Sequence, residues 1–301
     1  SGSFTTANKV YDALKTATVT DFSQLQLNGI IGADNVAIFQ IQAQFNSKNV
    51  GVGKEVSISS SSLTGNESGN YTVNLTGSST SIATITTKSI SLAGSFTVAQ
   101  KEYDGNTSAS ISVNALSLNG LISGDVVGFA SITTSFSTAT PGSGKLVTIS
   151  NVSLNGVDAT NYSLSIAGAP TNTGTILTKS LTLTGSFTAA NKSYDGTDNA
   201  VIANTALLNI NGKVGSEDVN FTGLTAKFDT KNKGTAKTVR LVSGSLNGVD
   251  AANYSLDLNS APTTTASITG DVLTVLGSFA VNPKVYDGTK TAERIKDNLQ
   301  L

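Results

Sequence analysis

The feature that most constrains this fold is a repeat of about 92 residues. Segments of nearly the same sequence begin with Gly-Ser-Phe at Gly2, Gly94, Gly185 and Gly277. Nine residues after each glycine stands a tyrosine, and the four tyrosines are spaced by 92, 91 and 92 residues: Tyr11, Tyr103, Tyr194 and Tyr286. Self-similarity at a fixed period indicates tandem structural units. We therefore expect three units and the start of a fourth.

The aromatic residues follow the same period. A phenylalanine precedes a repeated lysine by nine residues, and a tyrosine follows that lysine by seventeen. An aromatic that recurs once per unit is typical of a core position, because burial removes a large apolar area from water. We predict that the structural anchors are Phe4, Tyr11, Phe45, Tyr71, Phe96, Tyr103, Phe136, Tyr162, Phe187, Tyr194, Phe228, Tyr254, Phe279 and Tyr286.

Between the anchors, apolar and polar residues alternate, as in Leu181, Leu183 and Phe187, and Asn-Gly or Asp-Gly pairs separate the runs. This pattern favours short antiparallel strands. We predict an all-β chain: a tandem array of three Ig-like β-sandwich units of six to eight strands, plus the start of a fourth, forming an extended rod. The alternative is a β-grasp-like unit with one short helix, for which Ala109–Leu118 and Ala200–Leu208 contain enough Ala and Leu.

The joints between units read as strands and contain no Pro-rich or Ser/Gly-rich spacer, so neighbouring units should be nearly rigid. We place the units at 1–88, 89–179 and 180–270, with an incomplete fourth at 271–301. The first unit lacks part of its first strand, and the fourth supplies only a first strand and a turn. The sequence therefore looks like a segment of a longer array.

Acidic residues recur at fixed places in the repeat. We predict turns at Asp104, Gly105, Asp195, Gly196, Asp287 and Gly288, because Asp bonds its own backbone and Gly accepts positive φ. Two further sets are Asp34, Asp125 and Asp218, and Glu67, Asp158 and Asp250. Calcium needs several converging oxygen ligands, and no local cluster supplies them. Acids from different loops could still meet at a joint, so calcium stays open there.

Composition excludes several function classes. The chain has no His and no Cys, so it cannot form a Ser-His-Asp triad, a Cys-His pair or a tetrahedral zinc site. The 19 basic and 20 acidic residues balance, which disfavours nucleic-acid binding. No apolar run is long enough for membrane insertion, and any export signal is expected to lie outside this segment. We predict a non-enzymatic chain without catalytic, metal-binding or cofactor-binding residues.

Two local patterns suggest chemistry that we disfavour. Ala139–Val147 resembles a phosphate-binding loop, but Leu146 stands where Ser or Thr is needed. An intramolecular isopeptide bond between Lys101 or Lys192 and Asn161 or Asn253 would need a buried, deprotonated lysine. We interpret these lysines as solvated strand residues, since Lys is rarely buried.

Three consecutive signatures carry a family resemblance: K-x-Y-D-G-T, F-x-x-K-N-x-G-x-G-K-x-V and L-x-G-x-D-A-x-N-Y. The residues that carry them include Lys192, Tyr194, Asp195 and Gly196, then Phe45, Lys48, Asn49 and Lys54, then Leu246, Asp250, Asn253 and Tyr254. This sequence resembles the YDG-type repeat, a mostly-β, glycine-rich module of large bacterial surface and secreted haemagglutinin-like adhesins. The resemblance implies an exported spacer or adhesive stalk with no known catalysis.

The expected function is therefore a structural stalk or spacer of a bacterial extracellular adhesin or surface fibre. The first alternative is a filament subunit, in which the strand within 271–301 completes the first unit of the next chain. A weaker alternative is a carbohydrate-binding module, with Thr140–Gly144 as its candidate loop; the absence of Trp disfavours it. Expected partners are other repeats, further copies in a fibre, or surface polysaccharide, but not nucleic acid.

Overall fold

The computed structural model describes residues 1–300, and its regular elements are β-strands apart from three single-turn 3-10 helices: Ser68–Asn70, Ala159–Asn161 and Ala251–Asn253. The predicted all-β class is confirmed. The β-grasp-like alternative with a helix is wrong, because Ala109–Leu118 and Ala200–Leu208 lie largely in the strands Ile111–Asn119 and Ile202–Asn211. Both stretches pair along a neighbouring strand, and this pairing overrides the modest helix propensity of Ala and Leu.

Two compact units divide the described chain, and the first, Ser1–Leu177, holds repeats 1 and 2. The strands of repeat 1 are β1 (Thr5–Thr6), β2 (Lys9–Val10), β3 (Thr16–Ala17), β4 (Val19–Asp21), β5 (Ala37–Phe45), β6 (Gly51–Thr64) and β7 (Thr80–Thr86). Five of them form a sheet in the order β2-β7-β6-β5-β3, and β1 pairs with β4.

Repeat 2 contains eight strands: β8 (Lys88–Val98), β9 (Lys101–Glu102), β10 (Ser108–Ala109), β11 (Ile111–Asn119), β12 (Gly128–Phe136), β13 (Gly142–Asn155), β14 (Tyr162–Ser165) and β15 (Asn172–Leu177). They form a five-stranded sheet, β10-β12-β13-β15-β9, and a three-stranded sheet, β11-β8-β14.

The second unit begins at Thr178, and its first eight strands repeat this topology: β16 (Lys179–Ala189), β17 (Lys192–Ser193), β18 (Asn199–Ala200), β19 (Ile202–Asn211), β20 (Asn220–Phe228), β21 (Gly234–Asn247), β22 (Tyr254–Asp257) and β23 (Thr263–Thr269). The sheets are β17-β23-β21-β20-β18 and β19-β16-β22. A separate exposed hairpin follows, made of β24 (Phe279–Val281) and β25 (Arg294–Asp297).

One strand organises the small sheet of each complete repeat. In repeat 2 the first residues of β8 pair in parallel with β14, and the later residues pair antiparallel with β11. Gly94 lies in β8 with φ of 88°, and a Cβ at this position would lie 2.2 Å from the Ala115 carbonyl oxygen. The glycine of the Gly-Ser-Phe motif is therefore required by a close backbone approach.

The junction between repeats 1 and 2 has no linker. Strand β7 ends at Thr86 and β8 begins at Lys88, so Thr87 alone separates them. The apolar core of repeat 1, which includes Phe45 and Val56, continues into repeat 2 through Ile90 and Tyr162. Within the first unit, the two repeats thus share one buried cluster.

Candidate functional site: the junction between repeats 1 and 2

Most of the predicted aromatic anchors are buried. Ten have at most 6% of their surface exposed: Phe4, Tyr11, Phe45, Phe96, Tyr103, Phe136, Tyr162, Phe187, Phe228 and Tyr254. Tyr71 is half-buried, whereas Tyr194, Phe279 and Tyr286 are exposed. Phe279 and Tyr286 are exposed because the segment that carries them forms the exposed hairpin of β24 and β25 instead of a two-sheet sandwich.

The Lys-x-Tyr-Asp-Gly motif forms a turn closed by its own lysine. In repeat 3, Lys192 Nζ donates hydrogen bonds to Asp195 Oδ1 at 2.8 Å and to the Thr197 carbonyl at 2.9 Å. The Thr197 N–H donates to the same Asp195 oxygen, and Gly196 has φ of 80°. Lys192 also lies 5.7 Å from the centroid of the Phe228 ring. The motif therefore joins a turn to the aromatic core.

The same arrangement recurs in the other copies of the motif. Lysine-to-aspartate distances are 2.7 Å in the first two copies and 2.8 Å in the fourth, for Lys9–Asp12, Lys101–Asp104 and Lys284–Asp287. The side chain of Lys101 is only 18% exposed and that of Lys192 only 15%. The interpretation of these two lysines as solvated residues was wrong, because the turn and the aromatic ring cover them.

At the junction, one carboxylate receives hydrogen bonds from both repeats. Tyr11 of repeat 1 donates its hydroxyl to Asp125 Oδ2 at 2.8 Å, and Tyr162 of repeat 2 donates to the same oxygen at 2.7 Å. The Ile122 N–H in turn donates to the Tyr162 hydroxyl at 3.1 Å. The side chain of Asp125 is 3% exposed. Buried carboxylates need such partners to remain ionised.

Lys48 of repeat 1 supplies the positive charge of the junction. Its Nζ lies 3.2 Å from Asp125 Oδ1 and 3.2 Å from Asp158 Oδ1, both of repeat 2. It also lies 5.9 Å from the centroid of the Tyr11 ring. The second oxygen of Asp158 accepts the Val126 N–H at 3.0 Å. Acids from two loops do meet at this joint, and an ammonium group lies between them.

A buried asparagine completes the junction. Asn161, 1% exposed, accepts the Val50 N–H through its side-chain oxygen at 3.0 Å. Its amide nitrogen lies 3.4 Å from the Asn49 side-chain oxygen. The Lys-Asn pair of one repeat and the Asn-Tyr pair of the next therefore recognise each other. This pairing gives both sequence signatures a structural purpose.

The hydrogen bonds set the ionisation of the junction. Burial raises the pKa of Asp125, but the bonds from Tyr162, Tyr11 and Lys48 outweigh it and hold the pKa below its usual value. Burial and then the bond to Asp125 raise the pKa of Tyr162 to about 12, and the same causes raise the pKa of Tyr11. The bond with Tyr11 and those with the two carboxylates raise the pKa of the Lys48 ammonium.

The acidic residue that accepts the repeated tyrosine hydroxyl is not at the position that the sequence pattern predicts in repeat 3. Tyr71 donates to Asp34 and Tyr162 to Asp125, but Tyr254 donates to Glu217. Asp218 instead lies one position further along, where its N–H donates to Asp250. Grouping Asp218 with Asp34 and Asp125 was therefore wrong, because a Glu side chain serves the tyrosine in repeat 3.

The geometry supports neither the phosphate-binding loop nor the isopeptide bond considered from the sequence. Ala139–Val147 runs into strand β13 and not into a helix, so a phosphate-binding loop has no helix N-terminus there. Lys101 and Lys192 bond Asp104 and Asp195, and the Asn161 oxygen accepts the Val50 N–H, so three of the four hypothesised isopeptide residues are engaged elsewhere. Within residues 1–300, no three acidic side chains gather as a metal site. The three 3-10 helices of this range have three residues each, so none of them could span a bilayer.

No curated protein matches the chain. Among solved structures, the crystal structure of Drosophila N-cadherin EC1-3 matches with 8% identity, 89% coverage of this chain, 98% of that chain and a TM-score of 0.20. The I9–I11 tandem from titin matches with 8% identity, 88% and 95% coverage and a TM-score of 0.19. Neither TM-score establishes a shared fold.

The family comparison is specific. The model of the YDG domain matches residues 3–82, 86–173 and 178–266, once in each of the first three repeats. These matches include three of the four Lys-closed turns and the residues that meet at the junction. The chain belongs to the YDG domain family, as a tandem of three such domains.

Proposed function

We propose that this chain is a non-enzymatic stalk or spacer segment of an extracellular, bacterial adhesin or surface fibre. The observation that carries the proposal is the junction between repeats 1 and 2, where Tyr11, Asp125 and Tyr162 share hydrogen bonds across two domains. A spacer must hold its two ends at a fixed separation, and this requires joints that resist bending.

Bending at this junction would be costly. Thr87 is the only residue between the two strands, so no flexible linker allows one repeat to rotate against the other. Rotation would pull Lys48 from two carboxylates and expose the buried Asn161. The carboxylate of Asp125, whose side chain is only 3% exposed, would then lose partners that keep it ionised. Repeats 1 and 2 are therefore expected to behave as one stiff segment.

Distance measurements between two spin labels test this stiffness. The chain has no Cys, so the exposed strand residues Ile82 and Leu146 can be changed to Cys and labelled. A narrow distance distribution is expected, and Lys48→Ala combined with Asn161→Ala should broaden it. Lys237→Ala, which removes an ion pair in repeat 3, is the matched control. A broad distribution before any junction substitution would refute the spacer proposal.

The second candidate function is self-assembly into a filament, with the strand within 271–301 completing repeat 1 of another copy. The observation that favours it is the full exposure of residues 271–300, which include large apolar side chains such as Val272 and Leu273. Exposed strands with apolar faces recruit partners by adding to a sheet.

A further inference from the structure

Strand β5 of repeat 1 carries an exposed aromatic ring. Phe39 is 66% exposed, more than any other aromatic residue of repeats 1–3. A β-bulge produces this exposure: Ile38 pairs with Leu63 and Gln40 pairs with Ser62, so Phe39 is the additional residue between two consecutive pairs. Bulges turn a side chain in a new direction and are frequent beside functional sites.

The same position is exposed in the other two repeats, but it carries no ring there. In repeat 2, Ala130 is the additional residue of an equivalent bulge. In repeat 3, Thr222 stands six residues before Phe228, as Phe39 stands before Phe45. Both Ala130 and Thr222 are exposed. Exposure of this position is therefore a property of the repeat, whereas the ring is particular to repeat 1.

Amide and hydroxyl side chains surround this ring. On the outer face of the sheet, Gln40 is paired with Ser62 and Gln42 with Ser60, and all four residues are exposed. The Ser60 hydroxyl donates to the Gln42 side-chain oxygen at 3.1 Å. The intervening Ile41 is buried in the core, as the alternation of side chains along a strand requires. The outer face therefore presents paired donors and acceptors next to an apolar ring.

This face is uncharged in repeat 1 and basic in repeat 3. Strand β5 contains no charged residue, and residues 57–64 of β6 contain none either. Repeat 3 has Lys227 at the position of Gln44 and Arg240 at the position of Ser57. An anionic or cationic ligand would gain no ion pair on the face of repeat 1. Electrostatic complementarity therefore favours a neutral, polar partner.

We propose that the outer face of repeat 1 binds a neutral polysaccharide, with Phe39 against one sugar ring and Gln40 and Gln42 bonded to its hydroxyls. A sugar presents C–H groups on the face of its ring and hydroxyls around the edge. The glutamine amide both donates and accepts hydrogen bonds, as a hydroxyl does. Neighbouring strands lie about 4.8 Å apart, so adjacent polar side chains can reach one sugar unit together. This binding activity is additional to the spacer function.

Affinity electrophoresis of the intact chain tests the proposal. Each native gel contains one neutral polymer: hydroxyethyl cellulose, dextran, mannan or galactan. At least one polymer should slow migration, and Phe39→Ala should lower the association constant for it by about tenfold or more, because a central aromatic side chain carries much of the binding energy of an interface. Phe39→Tyr keeps the ring and should bind within about threefold of the parent.

Two further variants serve as controls. Val113→Ala shortens an apolar side chain that is 59% exposed on strand β11 of repeat 2, and it should not change migration. Thr140→Ala alters the loop that the sequence suggested for sugar binding, and it should also bind like the parent. The absence of retardation by all of the polymers, equal retardation of the parent and Phe39→Ala, or loss of binding in Thr140→Ala instead, overturns the proposal.

The side-chain amide signals of glutamine in nitrogen-15 NMR spectra locate the bound sugar. An oligosaccharide of the retarding polymer should shift the signals of Gln40 and Gln42, whereas the exposed Gln100 of repeat 2 should not respond. Contact between two copies is the other use of an exposed ring. Self-association in sedimentation velocity that depends on Phe39, without glutamine shifts, would favour that use and overturn the proposal. The spin-label test of the spacer function is independent of both measurements.

Discussion

Tyr11 and Tyr162 belong to different repeats, yet their rings meet edge to face with centroids 5.5 Å apart. Both hydroxyls donate to the same oxygen of Asp125. Such ring pairs contribute about 0.5–1.5 kcal/mol beyond their burial, and a hydrogen bond to a charged group contributes about 1.5–3 kcal/mol. The pair therefore couples the folding of repeat 1 to that of repeat 2.

Tyr11→Phe should measure that coupling, because it keeps the ring and removes only the hydroxyl. We expect it to lower the free energy of unfolding of repeats 1 and 2 by about 1.5–3 kcal/mol, the value of a hydrogen bond to a charged group. Urea unfolding followed by circular dichroism checks this. Tyr194→Phe is the matched control, with an expected change within about 0.5 kcal/mol. Equal effects of the two substitutions would contradict the coupling.

The junction should weaken at alkaline pH. The pKa of Tyr162 is raised to about 12 by burial and by the bond to Asp125. A group whose pKa is raised by folding stabilises fully below its unfolded value, about 10, and this stabilisation is lost as pH rises through the folded value. The free energy of unfolding should therefore fall between about pH 10 and pH 12. Urea midpoints across this range measure the fall.

A tyrosine-specific comparison separates this effect from general alkaline unfolding. Tyr162→Phe removes one of the two junction tyrosines whose pKa folding raises, so the loss of stability between about pH 10 and pH 12 should become smaller, although the substitution lowers stability at neutral pH. Tyr286→Phe, at a residue that is 94% exposed, should leave the fall unchanged. A Tyr162→Phe chain with the full alkaline loss would show that another group is responsible.

The buried aromatic positions could be predicted from the sequence, because each buried position keeps an aromatic residue in every repeat. Phe45, Phe136 and Phe228 recur at equal distances from a lysine, and all three are buried. The shared carboxylate could not be predicted in this way. Tyr11 and Asp125 are separated by 114 residues, and no local spacing encodes a contact between consecutive domains.

The role of the motif lysine was also beyond the sequence pattern. Alternation places Lys192 on a strand, and a strand lysine is usually solvated. Its burial depends on the Phe228 ring, which arrives from a distant strand, and on the carbonyl of Thr197. Tyr194 shows the converse: it belongs to the same motif as Tyr11 but is 39% exposed against 1%. The local motif determines the conformation of the turn, whereas residues that are distant in sequence determine which of its side chains are buried.

Lys192→Met should show how far the lysine charge lowers the pKa of Asp195. The bond from Lys192, followed by those from Thr197, lowers the pKa of Asp195 to about 2. Met keeps most of the side-chain length but removes the charge, so the pKa should rise toward the usual value of about 3.9. Carbon-13 NMR of the carboxyl group during an acid titration measures it directly.

The control for this titration is another lysine in an ion pair. Lys227 pairs with Asp198, so Lys227→Met should leave the Asp195 pKa near 2. Because folding lowers the pKa of Asp195, its contribution to stability is present above the unfolded value and is lost as pH falls through the folded value. Wild-type behaviour of Lys192→Met would mean that the turn backbone alone holds the carboxylate.

The turn glycines give a prediction in which one substitution stabilises. Ala13 occupies the position of Gly196 and has φ of 63°, a left-handed conformation that strains residues with a Cβ. Ala13→Gly should therefore raise the unfolding free energy of repeat 1 by about 0.5–1 kcal/mol, after the greater unfolded-state entropy of glycine is counted. Gly196→Ala should cost about 1 kcal/mol, because nothing lies within 4 Å of the added Cβ.

Comparison of Gly185→Ala with Gly196→Ala distinguishes the cost of a strained backbone angle from the cost of a steric clash. Gly185 has φ of 91°, close to the 80° of Gly196, but its added Cβ would lie 1.9 Å from the Leu207 carbonyl oxygen. Relief of that overlap requires β16 and β19 to move apart, and disruptive substitutions of this kind cost more than about 4 kcal/mol. Thermal unfolding of the three variants should rank them Ala13→Gly, Gly196→Ala and Gly185→Ala in falling stability. Equal losses for the two alanine variants would mean that the Gly-Ser-Phe glycine serves only its backbone angle, and that the close strand approach can relax.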